Sequence, residues 1–173
     1  MINCPFCGEE NIDGADNCEQ CQQPLDFLSK PQPGSDLERS LLTDRVSALA
    51  PRQPVVVDPS TPVSDVLGML IGHSIGCVVV VDKSEIVGIF SERDALTRIN
   101  TEAASCGSRP VSDFMTPSPE TIESTAKIAF ALSKMDIGGY RHMPVVKNGR
   151  IAGVISIRDI LDYITAHLMA EVE

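Results

Sequence analysis

The chain contains no tryptophan, and aromatic residues make up only 4% of it. Its core must therefore be filled by Val, Ile, Leu, Met and Ala, which suits β-branched strands packed against Leu- and Ala-rich helices. Positive charge is also scarce. Fourteen Lys and Arg against 24 Asp and Glu leave a formal net charge of −10, and no Lys/Arg run is present. Such a surface repels DNA or RNA, so nucleic acid is not expected as a partner, whereas a small anion needs only a few local donors. No apolar run approaches the ~18 residues of a membrane helix. The first residues, MINCPFCGEEN, have neither the basic start nor the apolar stretch of a signal peptide. The expectation is a cytoplasmic protein with no membrane contact. In that compartment thiols stay reduced, so the six cysteines are metal ligands or core residues before they are disulfides.

What is present falls into three regions. Residues 1–28 are Cys-rich, acidic and poor in large apolar side chains. The stretch SKPQPGSD, Ser29 to Asp36, has the composition of a linker, which we place over 29–38. The remainder carries nearly all the periodic hydrophobicity and contains an internal repeat. Sliding Pro54 forward by 65 residues places it on Pro119, and the match continues without a gap to Leu168. Val57 falls on Ile122, Leu67 on Leu132, and Val80-Val81 on Val145-Val146. GIFSERDAL (Gly88 to Leu96) returns as GVISIRDIL (Gly153 to Leu161). One unit of this size buries too little surface to be stable alone, so two copies, 39–105 with a lead-in helix and 106–173, are expected to pair.

Each copy has the same order of elements. A short extended segment precedes an apolar stripe at helical spacing (Val63, Val66, Leu67, Leu70, Ile71). A continuous apolar strand, IGCVVVVD, follows, then a tight turn (Lys83-Ser84, or Asn148-Gly149), a second strand and a final helix. Leu96 and Ile99 are placed on the apolar side of the first of these helices, and Ile157, Leu161, Ile164 and Leu168 on that of the second. Leu42, Val46 and Leu49 suggest a lead-in helix. The fold class is α/β (α+β): two β-α-β-β-α repeats behind a small Cys-rich module.

The repeated Ser-x-Arg-Asp has a plain explanation. Ser followed three residues on by an acid is a helix-start capping box. Three features go further. A glycine stands before the Ser at the same offset in both copies, where something could approach the strand backbone closely. Arg precedes the Asp both times, which capping does not require. A helix N-terminus, a hydroxyl and a guanidinium suit a phosphate, and a carboxylate suits ribose hydroxyls.

With VVVVDKSEIVGIFSERDAL, RHMPVVKNGRIAGVISIRDIL and DFMTPSPETI, the chain from about Asp44 to Leu168 resembles a pair of cystathionine-β-synthase-type (CBS) domains. The first copy departs from the family at Val79, where the second has Pro144. The resemblance implies a pseudo-twofold pair with two clefts, and a regulatory ligand such as AMP, ADP, ATP or S-adenosylmethionine. It assigns phosphate contacts to Ser91 and Ser156 and ribose contacts to Asp94 and Asp159. Arg93, Arg158 and Arg141 qualify as phosphate partners by charge. The base is expected near Val57, Gly76, Cys77, Val78, Ile122, Tyr140, Arg141, His142, Met143 and Pro144. The cleft completed by GGYRHMPVV is the favoured one. The resemblance also implies a homodimer.

No nucleophile–base pair accompanies His142, and no enzyme is expected. His73 and His167 are read as structural. The pairs Cys4/Cys7 and Cys18/Cys21 (CPFC and CEQC) have the spacing of a four-thiolate site, and the segment looks like a small zinc ribbon. Iron is the alternative metal, as in rubredoxin-like sites. Cys77 is expected in a core strand and Cys106 in a loop, neither with a role. The leading expectation is a non-catalytic module that binds an adenine nucleotide and carries a structural zinc ribbon that contacts an unidentified target protein. The alternatives are a ligand-free dimerisation scaffold and an iron electron carrier fused to the pair.

Overall fold

The computed structural model describes residues 1–4, 6–12, 14–25, 34–99 and 103–170. The predicted linker positions 29–33 lie outside these residues. Its last three positions, Asp36 to Glu38, are already helical, because the Ser35 hydroxyl accepts the Glu38 N–H (3.1 Å) and starts α1, Asp36–Thr43. No described helix is long and apolar enough to cross a membrane.

The Cys-rich segment pairs β1 (Ile2–Asn3) antiparallel with β2 (Glu10–Asn11). Its interior consists of Cys4, Cys18 and Leu25, with Ile2, Phe6 and Ala15 packed around them.

The chain divides into two compact units, and neither coincides with one sequence repeat. The first comprises Met1–Pro51, Glu123–Arg141 and Ile155–Glu173, and the second Arg52–Ile122 and His142–Val154. In the second unit, β3 (Val56–Val57) runs parallel to β4 (Cys77–Asp82), with α2 (Val63–Gly72) as the crossover. The hairpin partner β5 (Glu85–Ser91) is antiparallel to β4, and β6 (Thr116–Pro117) lines the other edge of β5. Val78, Phe90, Val63, Val66 and Val111 are fully buried here, together with Val57, Leu70, Ile99, Cys106 and Phe114. The second repeat supplies β7 (Ile122–Glu123), α5 (Ile128–Gly138), β8 (His142–Lys147), β9 (Arg150–Ser156) and α6 (Ile157–Ala170), with strand order β7-β8-β9. The β-α-β-β-α order therefore occurs twice.

The units cut across the repeats in part because the lead-in segments are exchanged, while His142–Val154 of the second repeat also belongs to the second unit. The segment before the second repeat packs on the first: Val63 N–H donates to the Arg109 carbonyl (2.9 Å) and Val111 N–H to the Thr61 carbonyl (2.8 Å). The segment before the first repeat packs on the second, with Val46 N–H on the Ala126 carbonyl (2.8 Å) and Ser47 N–H on that of Ser124 (3.0 Å). The Tyr163 hydroxyl on α6 adds a 2.6 Å bond to the Asp44 carboxylate. Instead of the single lead-in helix expected from Leu42, Val46 and Leu49, α1 ends at Thr43 and a separate 3₁₀ turn spans Val46–Leu49.

Both hairpin turns have two left-handed central residues, Lys83 and Ser84 (φ +47° and +74°) and Asn148 and Gly149 (φ +53° and +74°). Asn-Gly adopts this geometry cheaply, whereas Lys-Ser strains it. Replacing Lys83-Ser84 by Asn-Gly is expected to stabilise the protein by about 1–2 kcal/mol. A urea midpoint measured for the double variant checks this.

Two helix registers differ from expectation. After α3 (Glu92–Asp94) the chain continues as a π turn over Ala95–Ile99, which buries Ile99 and leaves Leu96 exposed. The wider π spacing breaks the 3.6-residue stripe. On α6 the fully buried residue is Ile160, while Leu161 and Leu168 of the predicted stripe are about half exposed at 53% and 49%. Ile71 on α2 is likewise exposed.

Candidate functional site

Each Ser-x-Arg-Asp motif sits where a strand becomes a helix, β5 into α3 and β9 into α6. In the first, the Asp94 Oδ2 accepts both the Ser91 N–H (2.9 Å) and the Ser91 hydroxyl (2.7 Å), and the Ser91 Oγ caps the Asp94 N–H (3.4 Å). The second repeats this: Asp159 Oδ2 accepts the Ser156 N–H (2.6 Å) and hydroxyl (2.7 Å), with Asp159 N–H on Ser156 Oγ (3.4 Å). Capping is thus built into both copies. The backbone before each core strand closes on the same junction. Glu92 N–H donates to the Gly76 carbonyl (3.1 Å) and Ile157 N–H to that of Arg141 (3.0 Å).

The first carboxylate has further partners. Asp94 is nearly buried, and its Oδ1 accepts the Thr116 hydroxyl (3.0 Å) and pairs with the Arg98 Nε (3.3 Å). Neither Thr116 nor Arg98 was singled out from the sequence. The repeat offset could have found them, because the positions 65 residues away are Pro51 and Tyr163.

The glycines also show what approaches the backbone. A Cβ on Gly88 would lie 2.1 Å from the Met115 sulfur, so the close neighbour at this strand position is the chain's own methionine. A Cβ on Gly76 would lie 2.3 Å from His142 Nε2, so the imidazole occupies the space a side chain at 76 would take. Of the residues expected around a base, Val57, Cys77, Val78, Ile122 and Met143 are buried, with Val57 and Val78 in the core cluster. Pro144 is also buried, while Tyr140 (37% exposed) and Arg141 reach the surface. Arg93 and Arg158 are exposed. A cavity of about 710 Å³ is lined by Tyr140, Arg141, Ile157, Leu132, Asp136 and Phe6 among others. Ser156 and Asp159 are not among its lining residues. His73 ends α2, and His167 stacks on Tyr163 with ring centroids 4.2 Å apart. Cys106 is buried at the end of a short helix, α4 (Ala103–Cys106), rather than in a loop.

At the N-terminus, the ligand atoms of Cys4, Cys7, Cys18 and Cys21 all lie within 4.8 Å of one another. Cys4 and Cys21 Sγ are 3.6 Å apart and Cys7 and Cys18 Sγ 3.5 Å. A disulfide is about 2.05 Å long, whereas thiolates around one tetrahedral ion with bonds of about 2.3 Å sit roughly 3.8 Å apart. The geometry fits one metal ion. The two halves are built alike: Gly8 N–H bonds the Cys4 carbonyl (2.9 Å) and Gln22 N–H that of Cys18 (2.9 Å), both at positive φ. Asn11, another residue the sequence did not flag, is buried and holds the second half. Its side chain donates to Cys18 Sγ (3.5 Å) and accepts the Glu19 N–H (2.9 Å).

The family model for the CBS domain matches residues 46–101 and 111–166. The chain belongs to the CBS-domain family. The match ends each repeat beyond its Ser-x-x-Asp junction and includes each exchanged lead-in from Val46 and Val111 onward. Among similar proteins, a 17.7 kDa protein of Acidianus ambivalens is 30% identical over 121 residues, 69% of this chain and 72% of its own length. The CBS-domain protein ATU1752 of Agrobacterium tumefaciens is 33% identical, with a TM-score of 0.64 over 69% of this chain and 98% of that one. The CBS protein PAE2072 of Pyrobaculum aerophilum, solved in complex with AMP, is 30% identical, with a TM-score of 0.61 over 70% of this chain and 99% of its own.

In the first CBS repeat, burial pushes the Cys77 thiol up to about 12, with the Glu92 and Asp94 carboxylates adding to the effect. The raised value means the folded protein keeps this proton after the unfolded chain has released it. Cys77 thus contributes its full share of stability below about pH 9, and loses it as pH rises toward 12. Cys77→Ala is expected to flatten the alkaline limb of a denaturant-midpoint profile measured against pH.

Proposed function

We propose that the chain is a non-catalytic regulatory module that binds an adenine nucleotide or adenosyl ligand, with AMP, ADP or ATP foremost, at its Ser-x-x-Asp motifs. The observation that carries this is the doubled Ser–Asp box at a strand-to-helix junction, in a chain 30% identical to a CBS protein solved with AMP. Ser91 and Ser156 supply phosphate contacts, Asp94 and Asp159 ribose contacts, and Arg93, Arg141 and Arg158 positive charge. Residues 1–28 form a ribbon whose four thiolates hold zinc, with iron as the competing metal. Ligand binding shifts a conformational equilibrium that a partner protein reads.

The assembly we propose is a cytoplasmic homodimer. Its support is the row of apolar helix residues left exposed, Ile137, Leu161, Leu168 and Met169 in one unit and Ile71 and Leu96 in the other. Light scattering on the purified chain tests it. A thermal-shift panel of AMP, ADP, ATP, NADH and S-adenosylmethionine tests the ligand. Ligand at 100 times its dissociation constant adds about 2.7 kcal/mol to stability. No shift with any member of the panel leaves the dimerisation scaffold, which the same exposed helix faces support. Elemental analysis separates zinc from iron.

A further inference from the structure

All the lining residues of the cavity of about 710 Å³ belong to the first unit, and neither Ser156 nor Asp159 is among them. Its size is that of a small-molecule site, roughly 300–1,000 Å³. What marks it is the kind of side chain it collects. Six aromatic residues lie among the described positions. Phe90, Phe114 and Phe130 are buried, and the Tyr163 hydroxyl is bonded to Asp44. The other two, Phe6 and Tyr140, both line this cavity. A glycine sets the Tyr140 ring in place. Gly138 ends α5, where alanine is the better helix former. A Cβ there would lie 2.0 Å from Tyr140 Cε2, so the ring takes the space of a side chain at 138. The chain turns through Gly139 at φ +64°, and the Tyr140 N–H closes the helix on the Met135 carbonyl (3.0 Å). Phe6 stands between Cys4 and Cys7, so the closed cysteine knuckle fixes it. Arg141 and Asp136 are the charged residues of the lining, and among the described residues neither forms an ion pair.

We infer that this cavity binds a fused-ring aromatic carboxylate, and that the metal-held ribbon is part of the site. Phe6 and Tyr140 take the flat rings. The Arg141 guanidinium takes the carboxylate, and the Asp136 carboxylate takes a ring N–H or amino donor. One guanidinium and one carboxylate leave the lining without net charge, which suits a singly charged acid and disfavours a doubly charged phosphate. A single ring would leave most of a cavity of this volume to water, so the fit is to fused rings. Tyr140 is a binding residue here, and Gly138 is the positioning residue behind it. Arg141 is also assigned to phosphate in the nucleotide reading, so the decisive variants are at Phe6 and Gly138.

The test is titration calorimetry on the full, metal-loaded chain. Indoleacetate is the probe, and cyclohexylacetate, which has the acid but no flat ring, is the control. Indoleacetate is expected to bind once per chain, about tenfold more tightly than the control. Phe6→Leu, which keeps an apolar side chain, and Gly138→Ala, which pushes the Tyr140 ring away, are each expected to weaken the probe about three- to tenfold and leave the control unchanged. A loss confined to the aromatic acid is one that a loosened fold does not produce, and alanine at 138 favours the helix by propensity. Chelating the metal is expected to weaken the probe as much as Phe6→Leu does. Saturating AMP is expected to leave the probe in place. No saturable binding below about 1 mM, or binding unchanged in both Phe6→Leu and Gly138→Ala, overturns the site. Displacement by AMP overturns the carboxylate assignment and returns the cavity to the nucleotide. Undiminished binding after chelation overturns the ribbon's part in it.

Discussion

A fragment ending where the first CBS match ends, residues 40–101, is expected to be unfolded. A fragment shifted along the chain, residues 52–118, is expected to show helical circular dichroism and a cooperative melt. The two are of similar length, and both contain β3 through the π turn. They differ in which lead-in they carry. The segment kept only by the second fragment supplies Val111 at 0% exposure, Cys106 at 4% and Phe114 at 6% to the core of this unit. It also answers backbone groups at the start of α2 and at the edge of β5. Val63 and Ser64 N–H bond the Arg109 and Gly107 carbonyls (2.9 and 3.0 Å), and Ser118 N–H bonds that of Val87 (3.0 Å). Burying a Val or Phe side chain contributes about 1.5–3 kcal/mol each, and each backbone bond about 1 kcal/mol net. The sum rivals the roughly 5–15 kcal/mol that holds a whole domain together. The lead-in that 40–101 carries instead has its partners at Ser124 and Ala126, outside that fragment. Equal melting of the two fragments would falsify the exchange.

That exchange also marks how far the sequence could be read. The repeat, the element order and the turns were legible because they depend on local pattern: period-2 and continuous apolar strands, Asn148-Gly149, and a Ser three residues ahead of an Asp. The lead-in partners were not, because no local pattern says which of two repeats of the same fold a segment will cover. The helix faces failed for a related reason. Leu96 and Leu161 occupy apolar stripes, but a π turn rotates one out and Ile160 takes the buried position on the other helix. At the motifs, the Ser–Asp boxes were visible as spacing. The Arg98 and Thr116 contacts on Asp94 were not, since the two residues lie on different elements, separated by α4. Comparing the copies position by position would have singled both out, since Thr116 stands against Pro51 and Arg98 against Tyr163.

Stripping metal from the N-terminal cysteines is expected to unfold residues 1–25 completely while the CBS repeats keep their fold. The reason lies in what the ribbon has to bury. Its two strands are two residues each, and its interior contains two cysteines and one leucine. So small a core cannot offset the conformational entropy of ordering about twenty residues, at roughly 1–2 kcal/mol each for the backbone alone. A bound structural ion supplies about 10–16 kcal/mol of apparent binding energy, which is folding energy for a site that does not exist in the open chain. The repeats have their own cores of Val78, Phe90, Ile128 and Ile160 and draw on none of it. Chelation should collapse the amide dispersion of the ribbon in a proton–nitrogen correlation spectrum and leave the repeat resonances in place. Cys18→Ser should do the same without chelator. Asn11→Ala, which leaves all four sulfurs but removes the amide held against Cys18, should weaken metal binding 10- to 100-fold rather than abolish it. A ribbon spectrum that survives chelation would show that apolar packing suffices, and the four thiols would then need another explanation.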